Sequence, residues 1–165
     1  MRILVVSDSH SSLSFMLRCS EMLKPDVVIH LGDYYDDGEV LRDANPDARV
    51  CLLPGNCDRS RAPAWVPEVL TDTIGGVNFF MTHGHRHGVK STLGPLLADA
   101  RASGSHIALY GHTHQACCHQ EEDGLWVMNP GSCGYYGGSA GLIELRDGKI
   151  HVCRLLRSND LEEFA

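Results

Sequence analysis

The sequence has no long hydrophobic run at its beginning. Its first residues, MRILVVSDSH, contain one basic residue and only five apolar residues before Ser7. A signal peptide needs an apolar region of about 7–15 residues, and a membrane helix needs about 20. These absences predict a cytoplasmic protein that does not associate with membranes.

Basic residues are also scarce. Only 14 lysine and arginine residues stand against 21 aspartate and glutamate residues, so the formal net charge is −7. A protein that binds long nucleic acid needs a basic surface that displaces counterions from the phosphates. Long nucleic acid is therefore not an expected partner. A small anionic substrate would need local positive charge, which bound metal ions could supply.

The C-x-x-C spacing typical of structural zinc sites is absent, although the chain contains seven cysteines. Two of the cysteines, Cys117 and Cys118, are adjacent. In a reducing compartment we expect the thiols to be mostly free. The cysteines therefore predict neither a disulfide framework nor a closed zinc site.

The pattern of apolar residues predicts an α/β protein. With 165 residues, 43% of them hydrophobic, the chain suits a single domain over 1–165. Short β-branched runs predict strands buried on both faces. Helical spacing predicts a helix over 13–24, and a weaker one around 40–44. The resulting β-α-β-α-β order predicts parallel strands at 3–6, 27–31 and 49–53.

The second half of the chain is richer in strands. Apolar runs predict strands at 77–83 and 107–112, with a helix near 91–102 between them. A strand at 125–129 and a hairpin over 141–155 follow, the hairpin turning at Asp147-Gly148. The tail from Ser158 is expected to be a short helix or a frayed end. Two sheets packed together, flanked by outer helices, accommodate these elements better than one open sheet.

Polar residues that can bind metal follow each predicted strand up to Tyr110. Because the carboxyl ends of strands in α/β proteins meet at a ligand-binding crevice, these residues are expected to converge. Their oxygen and nitrogen donors, without thiolate, suit manganese, iron, zinc or nickel. One ion does not need so many ligands, so we expect two ions that share Asp33. The set is Asp8, His10, Asp33, Asn56, His83, His112 and His114.

Each of these residues alone also has a simpler explanation. Asp33 and Asn56 follow glycines and would ordinarily be turn residues. A single histidine such as His83 is more often a hydrogen-bonded surface residue than a metal ligand. The conjunction of all these positions at successive strand ends favours a metal centre.

The ordered motifs resemble the calcineurin-like metallophosphoesterase superfamily. They most resemble its small bacterial and archaeal phosphodiesterase branch, a group that also contains the retromer-subunit fold. The resemblance extends from Asp8 to about Ser132. Its motifs are D-S-H at 8–10, G-D at 32–33, G-N-C-D at 55–58, H-G-H at 83–85 and G-H-T-H at 111–114.

The resemblance implies a metallophosphoesterase fold, a two-sheet sandwich with helices outside. It also implies two divalent metal ions, with manganese as the first candidate and zinc, iron or nickel as alternatives. Phosphate esters would be hydrolysed by a metal-bridging hydroxide. By the same resemblance, one ion would be held by Asp8, His10, Asp33 and His114, and the other by Asp33, Asn56, His83 and His112.

The resemblance also implies a catalytic group made of Asp33, Asn56, His83, Asp58, Cys57 and His85. Asp58 would orient neighbouring groups without binding metal. Cys57 stands where many members of the wider superfamily carry a histidine that protonates the leaving group or contacts phosphate. The thiol could act in its place or simply fill space, and His85 or a water molecule could supply the proton instead.

Two loop motifs each allow two interpretations. NPGS at 129–132 either presents backbone amides to a phosphate or forms a plain turn, and GYYGG at 134–138 is an aromatic lip or a surface loop.

The connections between the motifs are short, so we expect an open site and a small phosphoester substrate. A phosphodiesterase is favoured. The alternative is a non-catalytic protein-binding scaffold of the retromer-subunit type, and a homo-oligomer is left open.

Overall fold

Two five-stranded mixed sheets pack face to face in the computed structural model, which describes residues 1–164. This arrangement confirms the predicted two-sheet sandwich flanked by helices. The elements in chain order are β1 (Arg2–Val6), α1 (Ser14–Leu23), β2 (Val27–His30), α2 (Tyr35–Asp43), β3 (Arg49–Leu52), β4 (Val69–Ile74), β5 (Val77–Thr82), α3 (Gly94–Ala102), β6 (Ile107–Leu109), β7 (Cys117–Gln120), β8 (Trp126–Asn129), β9 (Ala140–Arg146) and β10 (Lys149–Leu156).

The first sheet has the strand order β10-β9-β1-β2-β3. Strands β1, β2 and β3 are parallel, as their apolar runs predicted, while β9 and β10 form the antiparallel hairpin. The hairpin turns at Asp147 and Gly148, both with positive φ. Helix α1 covers the outer face of this sheet, where Phe15, Met16 and Leu23 are buried in one cluster with β1.

The second sheet has the strand order β4-β5-β6-β8-β7. Its inner strands β5, β6 and β8 are parallel, and the edge strands β4 and β7 run antiparallel to their neighbours. The sequence did not predict β4 or β7. Both are partly exposed edge strands, VLTDTI and CCHQ, so neither shows the continuous apolar run of a buried strand.

The space between the sheets is filled by apolar side chains. Ile3 and Ile29 from the first sheet and Phe79, Met81 and Leu109 from the second are fully buried in one cluster. Burial of each such side chain contributes about 1.5–3 kcal/mol relative to exposure. This core fixes the two sheets against each other, and with them the loops that leave β1, β2, β5 and β6.

Two elements differ from the predicted bounds in an informative way. Helix α2 begins at Tyr35, five residues before the predicted start near Val40, because its polar first turn carries no apolar signal. The tail forms a 3-10 helix, Ser158–Phe164, and Leu161 is buried against the cluster under α1. Among residues 1–164, no helix is long and apolar enough to cross a bilayer.

Candidate metal centre

The loops that leave the strands bring the predicted ligands into two adjoining groups. In the first group, ligand atoms of Asp8, His10, Asp33 and His114 all lie within 4.8 Å of one another. In the second, atoms of Asp33, His83 and His112 meet the same limit. Asn56 adjoins the second group, with its Oδ1 3.1 Å from Nε2 of His83. Asp33 therefore belongs to both groups, which is the arrangement that the sequence predicted.

Most of these ligands have an unusual backbone. Positive φ values, which are uncommon outside glycine, occur at Asp8 (53°), His10 (46°), Asp33 (60°), His112 (67°) and His114 (57°). Such a conformation costs a non-glycine residue roughly 1–3 kcal/mol and persists only where the surrounding structure imposes it. The left-handed residues follow β1, β2 and β6, so this strain is concentrated in three of the loops that form the candidate site. The residue pattern of the sequence does not predict these positive φ values.

The Asp8 carboxylate is fully buried and only half satisfied. Its Oδ2 accepts hydrogen bonds from the Ser7 hydroxyl at 2.6 Å and from the His112 backbone N–H at 3.0 Å. Its Oδ1 makes no hydrogen bond among residues 1–164. Nε2 of His114 lies 3.2 Å from that oxygen, but outside hydrogen-bonding alignment. A buried anionic oxygen without a donor fits a cation that completes its coordination.

The His83 ring is held in the tautomer that a metal ligand requires. Its Nδ1 lies 2.9 Å from the Leu31 carbonyl oxygen, which can only accept, so Nδ1 carries the proton. The lone pair of Nε2 then faces the cluster, 3.5 Å from Oδ1 of Asp33. Burial alone would lower the pKa of His83, but the carboxylates of Asp33 and Asp8 raise it above its ordinary value. The two carboxylates beside the ring thus favour a positive charge at this position.

The Asp33 carboxylate points one oxygen toward each group. Oδ2 lies 3.9 Å from Nε2 of His10, and Oδ1 lies 3.5 Å from Nε2 of His83. The Cys57 backbone N–H donates to Oδ1 at 2.9 Å. Burial acts to raise the pKa of Asp33, yet His83 and this amide hold it well below its usual range. The carboxylate therefore stays ionised between the two groups.

Asp58 holds the two loops that carry Asp33 and Asn56. Its buried carboxylate accepts four backbone N–H groups: Oδ2 from Gly55 at 2.7 Å and Asp33 at 2.9 Å, and Oδ1 from Tyr34 and Tyr35, each at 2.8 Å. Two of these donors open helix α2, where a carboxylate is favourable to the helix dipole. Asp58 orients its neighbours through their backbone and is not a member of either group.

The NPGS segment ties the remaining loops together. Asn129 donates from Nδ2 to the Gly111 carbonyl at 3.0 Å and to Thr113 Oγ1 at 2.9 Å. The Ser132 hydroxyl donates to the Asp8 carbonyl at 2.6 Å. The amide of Gly131 bonds to Asn129 Oδ1 and is not presented to a ligand. The sequence left a phosphate cradle or a plain turn open. The segment is a turn that clamps the loops of Asp8 and His112.

Two glycines allow the loops to approach the carboxylates. A Cβ at Gly55 would overlap Oδ1 of Asp33, and one at Gly111 would overlap the Ser7 hydroxyl and lie 2.8 Å from Oδ2 of Asp8. The glycines of the G-N-C-D and G-H-T-H motifs are therefore required by space rather than by a special backbone angle.

Cys57 and His85 border the two groups without joining them. The Cys57 thiol is exposed and accepts a hydrogen bond from the Asn56 amide at 3.4 Å. Although the residue is exposed, partial desolvation of its sulfur and the nearby Asp33 carboxylate raise the pKa of this thiol to about 11. The His85 ring centroid lies 5.5 Å from that of His83, and its Nδ1 is buried without a hydrogen bond among the described residues. Which of them assists the leaving group stays a prediction.

A cavity opens on each side of the centre. One, of about 480 Å³, has Asn56 and His85 in its lining, together with Ala62, Pro63, Ala64 and Val66. The other, of about 320 Å³, is lined by His114, Tyr135 and Tyr136 together with polar neighbours. The sequence did not predict that Tyr135 stacks on His114, with ring centroids 5.1 Å apart and planes 15° from parallel.

The chain matches one protein family over most of its length. The family is described as the calcineurin-like phosphoesterase superfamily domain, and its model matches residues 1–148. A phosphodiesterase from Methanocaldococcus jannaschii is 30% identical over 154 residues, which cover 84% of this chain and 88% of that relative.

Solved structures have the same fold. One from Streptococcus pneumoniae, described as a predicted phosphoesterase, superposes with a TM-score of 0.76 at 25% identity and covers 96% of this chain and 90% of that one. A single mutant of Vps29 from Entamoeba histolytica superposes with a TM-score of 0.72 at 20% identity, covering 95% and 99% of the two chains. The Vps29 likeness concerns the fold alone.

Replacement of Asp58 should weaken metal binding from a distance. In Asp58→Asn, one oxygen becomes an NH₂ group that faces two backbone donors, so the loops of Asp33 and Asn56 lose their common anchor. We expect about a 10- to 100-fold loss of metal affinity, measured by titration calorimetry with Mn²⁺. Asp47→Asn makes the same chemical change at an exposed residue and serves as the control. Equal affinities in the two variants would contradict this role of Asp58.

Single histidine replacements should separate the two groups. His114→Ala removes a ligand only from the group of Asp8 and His10, and His112→Ala only from the group of His83. Each variant should retain one tightly bound ion per chain where the parent protein retains two, measured by elemental analysis after dialysis. His119→Ala, an exposed histidine paired with Glu121, is the control. Two ions per chain in both variants would show the assignment to be wrong.

Proposed function

The chain belongs to the calcineurin-like phosphoesterase superfamily, and from this we propose that it is a metal-dependent phosphodiesterase that hydrolyses small phosphoesters in an open site. The observation that carries the proposal is the position of Asp33, which offers one carboxylate oxygen to each ligand group. We propose residues 1–165 as one domain and manganese as the metal.

The donor set fits two divalent ions. Asp8, His10, Asp33 and His114 would hold one, and Asp33, Asn56, His83 and His112 the other. When bound, two such ions neutralise charge on a phosphoryl group and lower the pKa of a water molecule that attacks it. The bare Oδ1 of Asp8 and the free lone pair of His83 are the features of this chain that support such binding.

The chain's own groups prepare the site before any substrate arrives. Asp58 and the Cys57 amide fix the Asp33 carboxylate, and the Leu31 carbonyl fixes the ring of His83. Because these partners lie in a largely buried rim, little reorganisation is needed when charge develops on the substrate. Cys57 and His85 border the ligand groups, and we propose one of them or a water molecule as the proton donor to the leaving group.

A diester is favoured over a monoester because a cavity opens on each side of the ligand groups. The cavity beside Asn56 and His85 would take one ester substituent, and the cavity beside His114 the other. The relative from Methanocaldococcus jannaschii is itself described as a phosphodiesterase. No comparable observation favours the alternative of a non-catalytic scaffold, since both ligand groups are complete.

Loss of the shared carboxylate should abolish turnover. Asp33→Asn keeps an oxygen for the Cys57 amide but removes the negative charge between the two groups, so we expect at least a 100-fold loss of kcat/KM. The measurement is hydrolysis of bis(p-nitrophenyl) phosphate with added Mn²⁺, and Asp47→Asn is the control. Removal of the metal with a chelator should abolish hydrolysis by the parent enzyme, and added Mn²⁺ should restore it. Full activity in metal-free Asp33→Asn protein would eliminate the two-metal mechanism.

A further inference from the structure

Two neighbouring tyrosines form an exposed aromatic edge beside the centre, which we call the tyrosine rim (Tyr135 and Tyr136). One face of the Tyr135 ring stacks on His114, yet 49% of the residue is exposed, so its open part faces away from the ligand group. Tyr136 is 84% exposed, and its ring centroid lies 6.4 Å from that of Tyr135. Exposed rings next to a buried centre form a surface on which a planar group can stack.

The cavity under the tyrosine rim is free of carboxylates. Its polar lining comes from Thr113, His114, Gln115, Ser132 and Ser139, and its one arginine or lysine is Arg157. The guanidinium of Arg157 makes no ion pair among residues 1–164. In a chain with a formal net charge of −7, a cavity lined by an arginine and by no carboxylate is unusual, and it suits an anionic ligand. Together with the tyrosine rim, it suits a ligand that is also planar.

We propose that this cavity is a subsite for a nucleoside substituent, so that the natural substrates are small nucleotide phosphodiesters rather than alkyl or lipid diesters. The base stacks on the tyrosine rim, and Arg157 faces a further phosphate of the same ligand. This proposal rests on the proposed function, because it concerns the substrate of the same centre. The volume of about 320 Å³ is at the lower end of the range of small-ligand sites, so a long protein segment would not fit in this cavity.

Two substrates that share the same leaving group can test the contact between the base and the tyrosine rim. Thymidine p-nitrophenyl phosphate and methyl p-nitrophenyl phosphate release the same phenolate and differ only in the group retained. The parent enzyme should prefer the thymidine ester in kcat/KM. Tyr136→Ala should reduce that preference by roughly tenfold, since base stacking on an aromatic side chain contributes about 5- to 150-fold in affinity. Trp65→Ala removes an equally exposed ring that does not line this cavity and should leave the preference unchanged.

Binding without turnover separates this proposal from the proposed function. Chelator-treated protein should bind adenosine monophosphate more tightly than ribose phosphate, and the difference should be lost in Tyr136→Ala. If neither ester is hydrolysed but the difference in binding is present, the proposed function fails and the subsite stands. If both esters are hydrolysed at equal rates, and the two phosphates bind equally, the subsite is overturned and the phosphodiesterase stands.

A separate observation concerns two partly buried thiols on neighbouring edge strands. Cys118 in β7 and Cys153 in β10 belong to different sheets, and their sulfur atoms lie 3.5 Å apart. The Cys118 thiol also lies 3.3 Å from the Cys153 carbonyl oxygen, to which it donates. Neither residue belongs to the ligand groups or to the two cavities beside them.

We further infer that hydrogen peroxide converts this pair into a disulfide that joins the two sheets. Peroxide oxidises one thiol to a sulfenic acid and leaves as water. The second thiol attacks that sulfur, an S–S bond forms, and a second water departs, so two thiols and one peroxide give one disulfide and two waters. The sulfurs need to approach by about 1.5 Å to reach bonding distance.

Peptide mapping after peroxide treatment tests this inference. A disulfide between Cys118 and Cys153 should form in the parent protein and in Cys117→Ser, and be absent from Cys118→Ser. It should raise the thermal unfolding midpoint by roughly 5–10 °C, reversibly with dithiothreitol, because it closes a long loop. Oxidation of Cys118 to a sulfinic acid, or its pairing with any cysteine other than Cys153, would overturn the inference.

Discussion

Four backbone N–H groups converge on the carboxylate of Asp58, and the geometry of the candidate centre depends on that convergence. The donors come from the loop after β2, which carries Asp33, and from the loop after β3, which carries Asn56. Because the same carboxylate also meets the first turn of α2, one side chain sets the position of the shared ligand and the start of a helix.

The strain in the ligand loops is tolerated because the strands beneath them are rigid. Asp8, Asp33 and His112 each adopt a left-handed backbone two or three residues beyond a buried strand. Strain of roughly 1–3 kcal/mol at each of these residues is small beside the apolar burial between the sheets. The sandwich core therefore stabilises loops whose conformations would not persist in isolation, and the polar chemistry is confined to its rim.

Much of this arrangement could be predicted from the sequence, because buried parallel strands leave an apolar signal and each is followed by a polar residue. The strands that carry Asp8, Asp33, Asn56 and His83 were located in this way. Edge strands β4 and β7 were not, since a half-exposed strand mixes polar and apolar residues. The early start of α2 was missed because its polar first turn carries no apolar signal, and because Asp58, which accepts the N–H groups of that turn, is remote in sequence. The positive φ values and the clamp formed by Asn129 and Ser132 depend on contacts between distant loops, which no local pattern reveals.

Each ligand group draws residues from both sheets. In the first, Asp8, His10 and Asp33 follow strands of one sheet and His114 follows a strand of the other, and in the second Asp33 faces His83 and His112. A cation at either position would therefore crosslink the two sheets at their open end, and would stabilise the folded chain by an amount that grows with the logarithm of the ion concentration above the dissociation constant. Because each ligand group spans both sheets, separation of the sheets at this end would pull the ligands of both groups apart.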